Sequence, residues 1–378
     1  MSWSEAATSS PSIPEGKPFG LSAPPDLKPV RPTVDPLADA FAPKTLSLGG
    51  PIATALPTFS IGARLRGRSV LSDTDLTRDE IGEVLETAAR LKRLRRKGQP
   101  HGYLAGKTLG LIFQHPSTRT RVSFEAGMAQ LGGQAIFLGM NDLQMKRGET
   151  IADTAQVLSR YVDGLVARVA LHDDLVELDA GASVPVINGL TDKAHPMQAL
   201  SDLLTLQEQF GSLAGLKLAF LGDGNNMCSS LLLAGAAMGV SVAVAAPQGY
   251  QPNPDVVTQA QWLGHASGAA ATMTVTEDPL AAVTDADAVY TDVHVSMAQQ
   301  DGPARAVALA PYKVTETVMA AAKPDAVFMH CLPMHRGEEV DAAVADGPRS
   351  IIFDQAENRL HLHKAILLHT LCSPGAGF

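Results

Sequence analysis

Segments with strand-like and helix-like patterns alternate along this chain of 378 residues from about residue 65 onward. Short apolar runs such as Thr108–Phe113 precede longer segments whose apolar residues recur at helical spacing, such as Asn226–Met238. Regular alternation of this kind predicts parallel sheets with helices on both faces. The pattern restarts after Gly215, and each set spans roughly 140 residues, the size of an ordinary domain. We therefore predict an α/β protein with two doubly wound domains, whose parallel sheets are joined by interdomain helices.

The individual elements follow from the same patterns. Thr77 and Glu80 form a capping box that predicts the start of the first helix. Strands are predicted at Thr108–Phe113, Ala135–Leu138, Gly164–Arg168, Val184–Asn188, Leu216–Leu221, Ser241–Ala246, Thr272–Thr276, Ala288–Asp292, Ala326–Met329 and Ser350–Phe353. Further helices are predicted at Ser117–Leu131, Ile151–Tyr161, Asp173–Ala180, Met197–Phe210, Asn226–Met238, Pro254–Ala266, Pro311–Ala322 and Arg359–Leu371.

Residues 1–60 differ from the rest because they are rich in Pro, Ser, Ala and Gly. Such a segment cannot bury enough surface to offset the entropy lost on ordering, so we predict a disordered tail. Its acidic residues argue against a transit peptide and it lacks the apolar core of a signal peptide, although a targeting role stays open. The predicted domains are 61–203 and 204–353, and the final helix within 354–378 returns to the first domain.

Composition excludes several classes of function. A net charge of −9 argues against nucleic acid or an anionic membrane as the main partner. No apolar run approaches the ~18 residues of a membrane span. The three cysteines form no C-x-x-C pair, which fits a reducing compartment and excludes a cysteine zinc site. H-E-x-x-H is also absent, so we predict a cytoplasmic protein that requires no metal.

Polar clusters follow the ends of six predicted strands. The carboxyl ends of parallel strands lie on one edge of a sheet, so the clusters of each domain should converge. Facing edges would form a cleft between the domains, which is where ligand sites are common. The clusters are Ser117–Arg121, Arg168, His195–Gln198, Asp223–Asn226, Asp292–Met297 and Cys331.

The segment Ser117–Arg121 predicts an anion site at the start of a helix. Ser117 or Thr118 can cap the helix, and the N–H groups of the first turn point outward. Capping alone does not explain three hydroxyl groups and two arginines within five residues. A guanidinium fork matches phosphate oxygens bidentately, so phosphate is the favoured ligand. Arg121 could point away and pair elsewhere.

Other clusters keep structural alternatives. Gly222-Asp223-Gly224 looks like the start of a dinucleotide fingerprint, but Met227 takes the place of the third glycine, which disfavours nucleotide binding. A loop histidine such as His195 is often structural, and an aspartate at a strand end such as Asp292 often only caps a turn.

Taken together and in order, these motifs resemble the aspartate/ornithine carbamoyltransferase family over about residues 65–371. The matching motifs are Ser-Thr-Arg-Thr, the strand-end arginine, His-Pro-x-Gln, Gly-Asp-Gly-Asn-Asn, Asp-x-x-x-Ser-Met, His-Cys-Leu-Pro and Glu-Asn-Arg. The His-Cys-Leu-Pro run resembles the ornithine branch of the family. The resemblance implies transfer of the carbamoyl group of carbamoyl phosphate to the side-chain amine of L-ornithine, giving citrulline and phosphate. It also implies a homotrimer with shared active sites and no cofactor.

The resemblance also implies roles for individual residues. Carbamoyl phosphate would bind Ser117, Thr118, Arg119, Thr120, Gln144, Arg168, His195, Gln198 and Arg359, with Gln144 reaching the site of a neighbouring subunit. Ornithine would bind Asn226, Asp292, Ser296, Met297, Cys331 and Leu332. The catalytic set would be Arg168, His195, Asp292 and Cys331. Which group accepts the proton of the amine stays open.

Two departures from the family pattern keep alternatives open. Ala298 stands where the family usually has glycine after Ser-Met, and Lys146 stands where it commonly has glycine. A carbamoyltransferase acting on another amine is therefore one alternative. The other is a non-catalytic member that binds carbamoyl phosphate or a partner protein, and the intact catalytic set counts against it. The sequence leaves open the metabolic direction and any assembly beyond a trimer.

Overall fold

The structure is a computed structural model that describes residues 63–266, 271–295 and 301–372. The predicted tail, residues 1–60, lies outside the described residues. So do Ser296, Met297 and Ala298 of the predicted ornithine-binding loop.

The first sheet has four parallel strands in the order β2-β1-β3-β4. Its strands are β1 (Thr108–Phe113), β2 (Gln134–Gly139), β3 (Gly164–Arg168) and β4 (Val186–Leu190). The helices of this half are α1 (Arg78–Arg96), α2 (Thr118–Gln130), α3 (Ile151–Leu158) and α4 (His172–Gly181). The predicted capping box at Thr77 and Glu80 is present and begins α1.

The second sheet has five parallel strands in the order β7-β6-β5-β8-β9. Its strands are β5 (Lys217–Leu221), β6 (Ser241–Ala245), β7 (Met273–Thr276), β8 (Ala288–Thr291) and β9 (Val327–His330). The helices of this half are α6 (Asn226–Met238), α7 (Pro254–Ala266), α8 (Pro279–Val283), α9 (Gly302–Leu309), α10 (Glu316–Ala321) and α11 (Ala342–Ala345).

Two long helices join the halves. They are α5 (Pro196–Phe210), which packs against β4 and α6, and α12 (Ile352–Leu371), which packs against α1, α2 and α5. Apolar residues of these helices and of one face of both sheets form one continuous buried core. The other face of each sheet packs into a smaller core of its own. The predicted architecture of two doubly wound sheets joined by helices is therefore confirmed.

Both sheets reverse their strand order at an inner strand. The chain runs outward from β1 to β2 and then returns to β3 on the other side of β1. In the second sheet it runs from β5 through β6 to β7 and returns to β8 on the other side of β5. At such a switch point the loops after the two central strands diverge and leave a crevice. The arrangement therefore places a crevice after β1 and β3 and another after β5 and β8.

One predicted strand is wrong. Ser350–Phe353 is not a strand, because only Ser350 makes an isolated bridge, to Phe328, and α12 begins at Ile352. A run of four residues with two isoleucines does not distinguish a strand from a helix start. Burial decides the outcome, since Ile352 is 2% exposed whereas Phe353 is 72% exposed. The final helix therefore begins at Ile352 and not at the predicted Arg359.

One predicted helix is interrupted. Within Pro311–Ala322, a 3-10 turn covers Ala310–Tyr312, and α10 begins only after Thr315, whose side chain accepts the N–H of Val318 at 3.2 Å. Between the two, Val314 bridges to Val340. The helices α8, α9 and α11 were not predicted, because each has at most eight residues and too few turns to show a period.

Among the described residues, no helix combines the length and the apolar character needed to cross a membrane.

The packing of α12 onto α2 includes a buried aromatic pair, so we expect Phe124→Ala to destabilise the protein. Phe124 is 0% exposed and stacks on the His363 ring with centroids 3.8 Å apart. Removing a buried phenyl group of this kind costs about 3–5 kcal/mol. The measurement is the midpoint of urea unfolding followed by circular dichroism. The matched control is Phe353→Ala, which removes an exposed ring and should leave the midpoint nearly unchanged; equal effects of the two changes would contradict this account.

Candidate active site

A single cleft collects the polar clusters that follow the strands of both sheets. Its volume is about 530 Å³. Residues after β1 and β3 line one side, and residues after β5, β8 and β9 line the other. The predicted site residues that line it are Ser117, Arg119, Arg168, His195, Gln198, Asn226, Asp292, Cys331, Leu332 and Arg359.

The start of α2 forms one end of the cleft. Ser117 is the N-cap residue, and its hydroxyl oxygen accepts the backbone N–H of Thr120 at 3.4 Å. Thr120 is buried and does not line the cleft, but its hydroxyl accepts a hydrogen bond from Arg359 Nη2 at 2.7 Å. Thr118 is exposed and is not among the lining residues. The structure thus gives Thr120 the task of holding an arginine of α12 against the start of α2.

Arg121 points away from the cleft, as its sequence position allowed. Its Nε donates to Glu125 at 3.0 Å, and its guanidinium lies over the Phe137 ring, 3.7 Å from the centroid. This leaves Arg119 as the arginine of the segment that lines the cleft.

Three guanidinium groups, those of Arg119, Arg168 and Arg359, share the cleft. Burial, and next the charges of Arg168 and Arg119, lower the pKa of Arg359 to about 10. Burial and the charge of Arg119 likewise lower the pKa of Arg168 to about 10. The Nε atoms of Arg168 and Arg359 are buried and have no hydrogen-bond partner in the described part of the chain. Clustered, unpaired cations of this kind favour a multiply charged anion such as phosphate.

His195 lies beside these arginines as a neutral group. Its ring is 6% exposed, and burial together with the charges of Arg359 and Arg168 holds the pKa of His195 well below its usual range. Its backbone N–H donates to Ser230 Oγ at 2.8 Å, and that hydroxyl donates to Asp73 Oδ2 at 2.8 Å. These bonds hold the backbone of His195, and a neutral imidazole there can donate one N–H into the cleft without adding charge.

The opposite side of the cleft begins at α6. Asn225 is its N-cap residue, and its side-chain oxygen accepts the N–H groups of Met227 at 2.9 Å and Cys228 at 3.1 Å. Its Nδ2 donates to Asp292 Oδ2 at 2.9 Å. Asn226, the predicted site residue, donates through Nδ2 to the carbonyl of Thr191 in the other half of the molecule. The first asparagine therefore orients Asp292, a role that the sequence did not reveal.

Gly224 has a structural explanation. A Cβ at this position would lie 2.1 Å from the backbone nitrogen of Pro252, so no other residue fits against that loop. The glycine of the Gly-Asp-Gly run therefore allows a close backbone contact with Gln251 and Pro252 and does not indicate nucleotide binding.

Cys331 and Asp292 form a hydrogen-bonded pair after β9 and β8. Cys331 Sγ donates to Asp292 Oδ1 at 3.0 Å. Burial, and next the negative charge of Asp292, hold the pKa of Cys331 well above its usual range, so the sulfur remains a thiol at neutral pH. Leu332 follows with φ of 61°, a left-handed conformation, and its N–H donates to His330 Nδ1 at 2.8 Å. Backbone strain of this kind clusters at ligand sites.

Arg305 of α9 is a cleft residue that the sequence analysis missed. Its Nη1 lies 2.5 Å from Asp223 Oδ2, and its guanidinium lies 4.6 Å from the centroid of the Tyr250 ring. The pair places one further cation and one further carboxylate in the cleft. No sequence signal marks this arginine, because α9 was itself not predicted.

Gln144 lies elsewhere. It is exposed in the 3-10 turn Gln144–Arg147 and is not among the residues that line the cleft. Its side-chain oxygen Oε1 accepts a hydrogen bond from Arg147 Nη1 at 3.3 Å. The expectation that it serves a neighbouring subunit stays a prediction.

Two groups of side chains in the described residues are close enough to hold a cation, Asp292-His330-Cys331 and His335-Glu338-Glu339. In the first group Nδ1 of His330 accepts the N–H of Leu332 at 2.8 Å, and Nε2 lies 3.3 Å from Glu339 Oε1. That no metal is required stays a prediction.

Comparisons with known proteins agree with this geometry. The family model for the carbamoyl-P binding domain of aspartate/ornithine carbamoyltransferase matches residues 68–208, and that for its Asp/Orn binding domain matches residues 214–370. The ornithine carbamoyltransferase of Thermococcus kodakarensis is 52% identical over 304 residues, which are 80% of this chain and 96% of that protein. The enzyme of that name from Symbiobacterium thermophilum is 53% identical over 304 residues, covering 80% and 97%.

Solved structures give the same result. The ornithine carbamoyltransferase of Pyrococcus furiosus has a TM-score of 0.79 to this chain and 50% sequence identity, and the match covers 81% of this chain and 98% of that one. The structure from Gloeobacter violaceus has a TM-score of 0.73, at 44% identity and coverage of 81% and 99%. Family models across both halves and relatives matched over nearly their whole length lead to one conclusion: the chain belongs to the aspartate/ornithine carbamoyltransferase family.

Proposed function

We propose that the protein transfers the carbamoyl group of carbamoyl phosphate to the side-chain amine of L-ornithine, giving L-citrulline and phosphate. The observation that carries the proposal is one cleft lined both by three arginines and by the hydrogen-bonded pair Cys331 and Asp292. Such a cleft suits a phosphorylated electrophile beside an amine. The names of the relatives, ornithine carbamoyltransferases at about half identity, favour ornithine as the amine.

The phosphate of carbamoyl phosphate would lie against the start of α2. Ser117, Arg119 and Arg359, which line the cleft, would hold it with their side chains. Thr118 and Thr120 do not line the cleft, and they would contribute through the backbone N–H groups of the first helical turn. Arg168, His195 and Gln198 would bind the carbamoyl group. The unpaired Nε atoms of Arg168 and Arg359 support this assignment, because an anion would supply the partners that they lack.

The reaction forms a C–N bond to the amine and breaks the bond between the carbamoyl carbon and a phosphate oxygen. Between these steps the carbonyl oxygen carries negative charge in a tetrahedral centre. Arg168 and the neutral N–H of His195 would stabilise that oxygen, and one such donor is worth about 2.7–4 kcal/mol. The arginines would also stabilise the phosphate as it departs with the bonding electron pair.

The amine would enter from the second half of the molecule. Asn226, Asp292, Ser296 and Met297 would hold the amino-acid end of ornithine, and Cys331 and Leu332 would lie beside its side-chain amine. Because Cys331 remains a thiol, it acts in this proposal as a hydrogen-bonding group and not as a nucleophile. The amine must lose a proton before it attacks, and that proton would leave with phosphate or pass to solvent.

The proposed reaction also bears on the assembly, the cofactor requirement and the cellular compartment of the protein. We infer a homotrimer in which Gln144 completes the phosphate site of the next subunit, which its exposed position away from its own cleft supports. No cofactor takes part in the proposed reaction, and the proposed compartment is the cytoplasm.

The proposed reaction predicts a single productive amine. Citrulline should form from carbamoyl phosphate and ornithine, whereas aspartate, putrescine and N-acetylornithine should give little product under the same conditions. The measurement is product formation by mass spectrometry with each amine in parallel. Turnover with a different amine would overturn the ornithine assignment and keep the phosphate site. Binding of carbamoyl phosphate without turnover of any amine would favour a non-catalytic member.

The protonation state of Cys331 predicts slow alkylation by iodoacetamide at neutral pH. Asp292→Asn removes a negative charge that raises the pKa of Cys331, so the thiolate fraction should rise. For each unit by which the pKa of Cys331 falls, the thiolate fraction rises about tenfold, while each thiolate becomes about threefold less nucleophilic. The alkylation rate of Cys331 should therefore rise roughly threefold or more. Peptide mapping separates the three cysteines, and buried Cys228 serves as the unreactive internal control. Fast labelling of Cys331 in the unmodified protein would contradict the assignment.

Shared sites predict complementation between two impaired variants. Arg119→Met and Gln144→Ala should each have low activity, but random mixing of the two should restore about a quarter of the sites, because half of the chains carry each intact residue. The measurement is citrulline formation after the chains are co-expressed. Mixing Arg119→Met with Arg168→Met is the matched control, since both residues belong to one chain's cleft and no intact site can form. Activity that merely averages the two parents would rule out sharing through Gln144.

A further inference from the structure

The amide of Gln198 has two chemically opposite ends, and the one that faces the cleft decides which ligand atom it recognises. Gln198 is 1% exposed and lines the cleft from the first turn of α5. Its Nε2 donates to Asp202 Oδ1 at 2.8 Å, and its Oε1 is buried without a partner in the described part of the chain. A glutamine amide can turn over at little cost unless its neighbours permit only one orientation.

The orientation of the Gln198 amide is fixed by a chain of hydrogen bonds that begins at a backbone N–H, a group that can only donate. The N–H of His330 donates to Gln355 Oε1 at 2.9 Å. The other end of that amide, Nε2, must then face outward, and it donates to Asp202 Oδ1 at 2.8 Å. Because Asp202 Oδ1 receives this N–H, it is an acceptor, and Gln198 can approach the same oxygen only with its own Nε2.

The orientation of Gln198 does not depend on the charge of Asp202. Asp202 is 0% exposed, and burial raises the pKa of Asp202 to about 7. Its Oδ2 lies 3.0 Å from the hydroxyl of Tyr290, which can donate to a carboxylate or accept from a carboxylic acid. A proton on Asp202 would therefore reside on Oδ2, and Oδ1 would continue to accept both amides.

We propose that Asp202 and Gln355 are positioning residues that fix the orientation of the Gln198 amide. The backbone N–H of His330 orients Gln355, Gln355 makes Asp202 Oδ1 an acceptor, and Asp202 in turn holds the NH₂ group of Gln198. The cleft therefore presents the Gln198 oxygen to an N–H donor of the substrate; we call this chain of contacts the relay. The inference rests on the proposed function, because the donor it selects is the amide nitrogen of the carbamoyl group. Acetyl phosphate has the same shape with a methyl group in that place. A buried acceptor left unpaired by that ligand costs affinity, and this gives the cleft its preference for the carbamoyl compound.

The relay also explains why Gln198 on α5 and Gln355 on α12 meet at one carboxylate. Asp202 lies on α5, Tyr290 on β8, and Gln355 on the first turn of α12 next to the end of β9. The carbamoyl side of the cleft is thereby tied to the backbone that immediately precedes Cys331.

The test compares the dissociation constants of carbamoyl phosphate and acetyl phosphate by calorimetry in Asp202→Leu and Asp202→Asn. Leucine has no acceptor, so Gln198 can turn over; carbamoyl phosphate should bind about tenfold more weakly while acetyl phosphate changes by less than about twofold. Asparagine keeps an oxygen for both amides and turns its NH₂ toward the hydroxyl of Tyr290, so it should retain the preference. An unchanged preference in Asp202→Leu, or equal weakening of both ligands, would overturn the proposal.

A second variant covers a failure of Asp202→Leu to fold, which gel filtration and circular dichroism would detect. Gln355→Met removes the anchor, so protonated Asp202 can then donate from Oδ1 and reverse Gln198. The hydrogen bond from Gln355 lowers the pKa of Asp202, so this pKa should lie higher in the variant. The preference of the variant for carbamoyl phosphate should fall below that pKa and return as the pH rises above it, whereas the unmodified protein should keep its preference throughout. A pH-independent preference in Gln355→Met would contradict the relay.

These binding measurements need no turnover, so the proposed reaction and the proposed orientation of Gln198 can be rejected independently. Absence of citrulline from the unmodified protein would reject the proposed function, while the ligand preference would still report on the orientation of Gln198. Normal citrulline formation with no preference between the two acyl phosphates would reject the relay alone.

Discussion

Desolvation of three guanidinium groups in one cleft, increased by their mutual repulsion, is the constraint on which the cleft depends. Arg119, Arg168 and Arg359 come from α2, the end of β3 and α12, so three separate elements must be held against an unfavourable interaction. A pKa lowered from 12.5 to about 10 corresponds to about 3 kcal/mol against the charged form of Arg359. This penalty is fully present at neutral pH, because the arginines stay charged below that pKa. Packing of α12 must outweigh it, and a bound anion would relieve it.

The C-terminal helix shows how that packing is achieved. Much of α12 is buried although many of its side chains are polar, and each of several polar groups meets a partner on another element. Lys92 of α1 donates to Asn358 at 2.7 Å, and Thr87 of α1 lies 2.9 Å from His369. Satisfied buried groups of this kind allow one register only, since a shift would leave them unpaired. The precision with which Arg359 meets Thr120 follows from this fixed register.

The sequence predicted the positions of the clusters better than their partners. Parallel strands end at one edge, so Arg168, Asp292 and Cys331 could be assigned to a common cleft from strand patterns alone. By contrast, Asp202 sits unremarked within the predicted helix Met197–Phe210. Its contacts to Tyr290 and Gln355 span 88 and 153 positions of the chain, and no local pattern reports such pairs. The predicted strand Ser350–Phe353 was wrong for the same reason, because burial of Ile352 in the tertiary fold decides the helix start.

The distribution of hydrogen-bond donors and acceptors in the cleft indicates how the two reactants would be oriented. The arginines and His195 offer donors where negative charge would develop, and Gln198 offers one oxygen where an N–H would lie. Asp292 contributes a negative charge from the second half of the molecule, held by Asn225 and by the thiol of Cys331. A cationic amine would be drawn to Asp292 and an anionic electrophile to the arginines. The two reactants would therefore meet between the two switch points, with charge favouring one relative orientation.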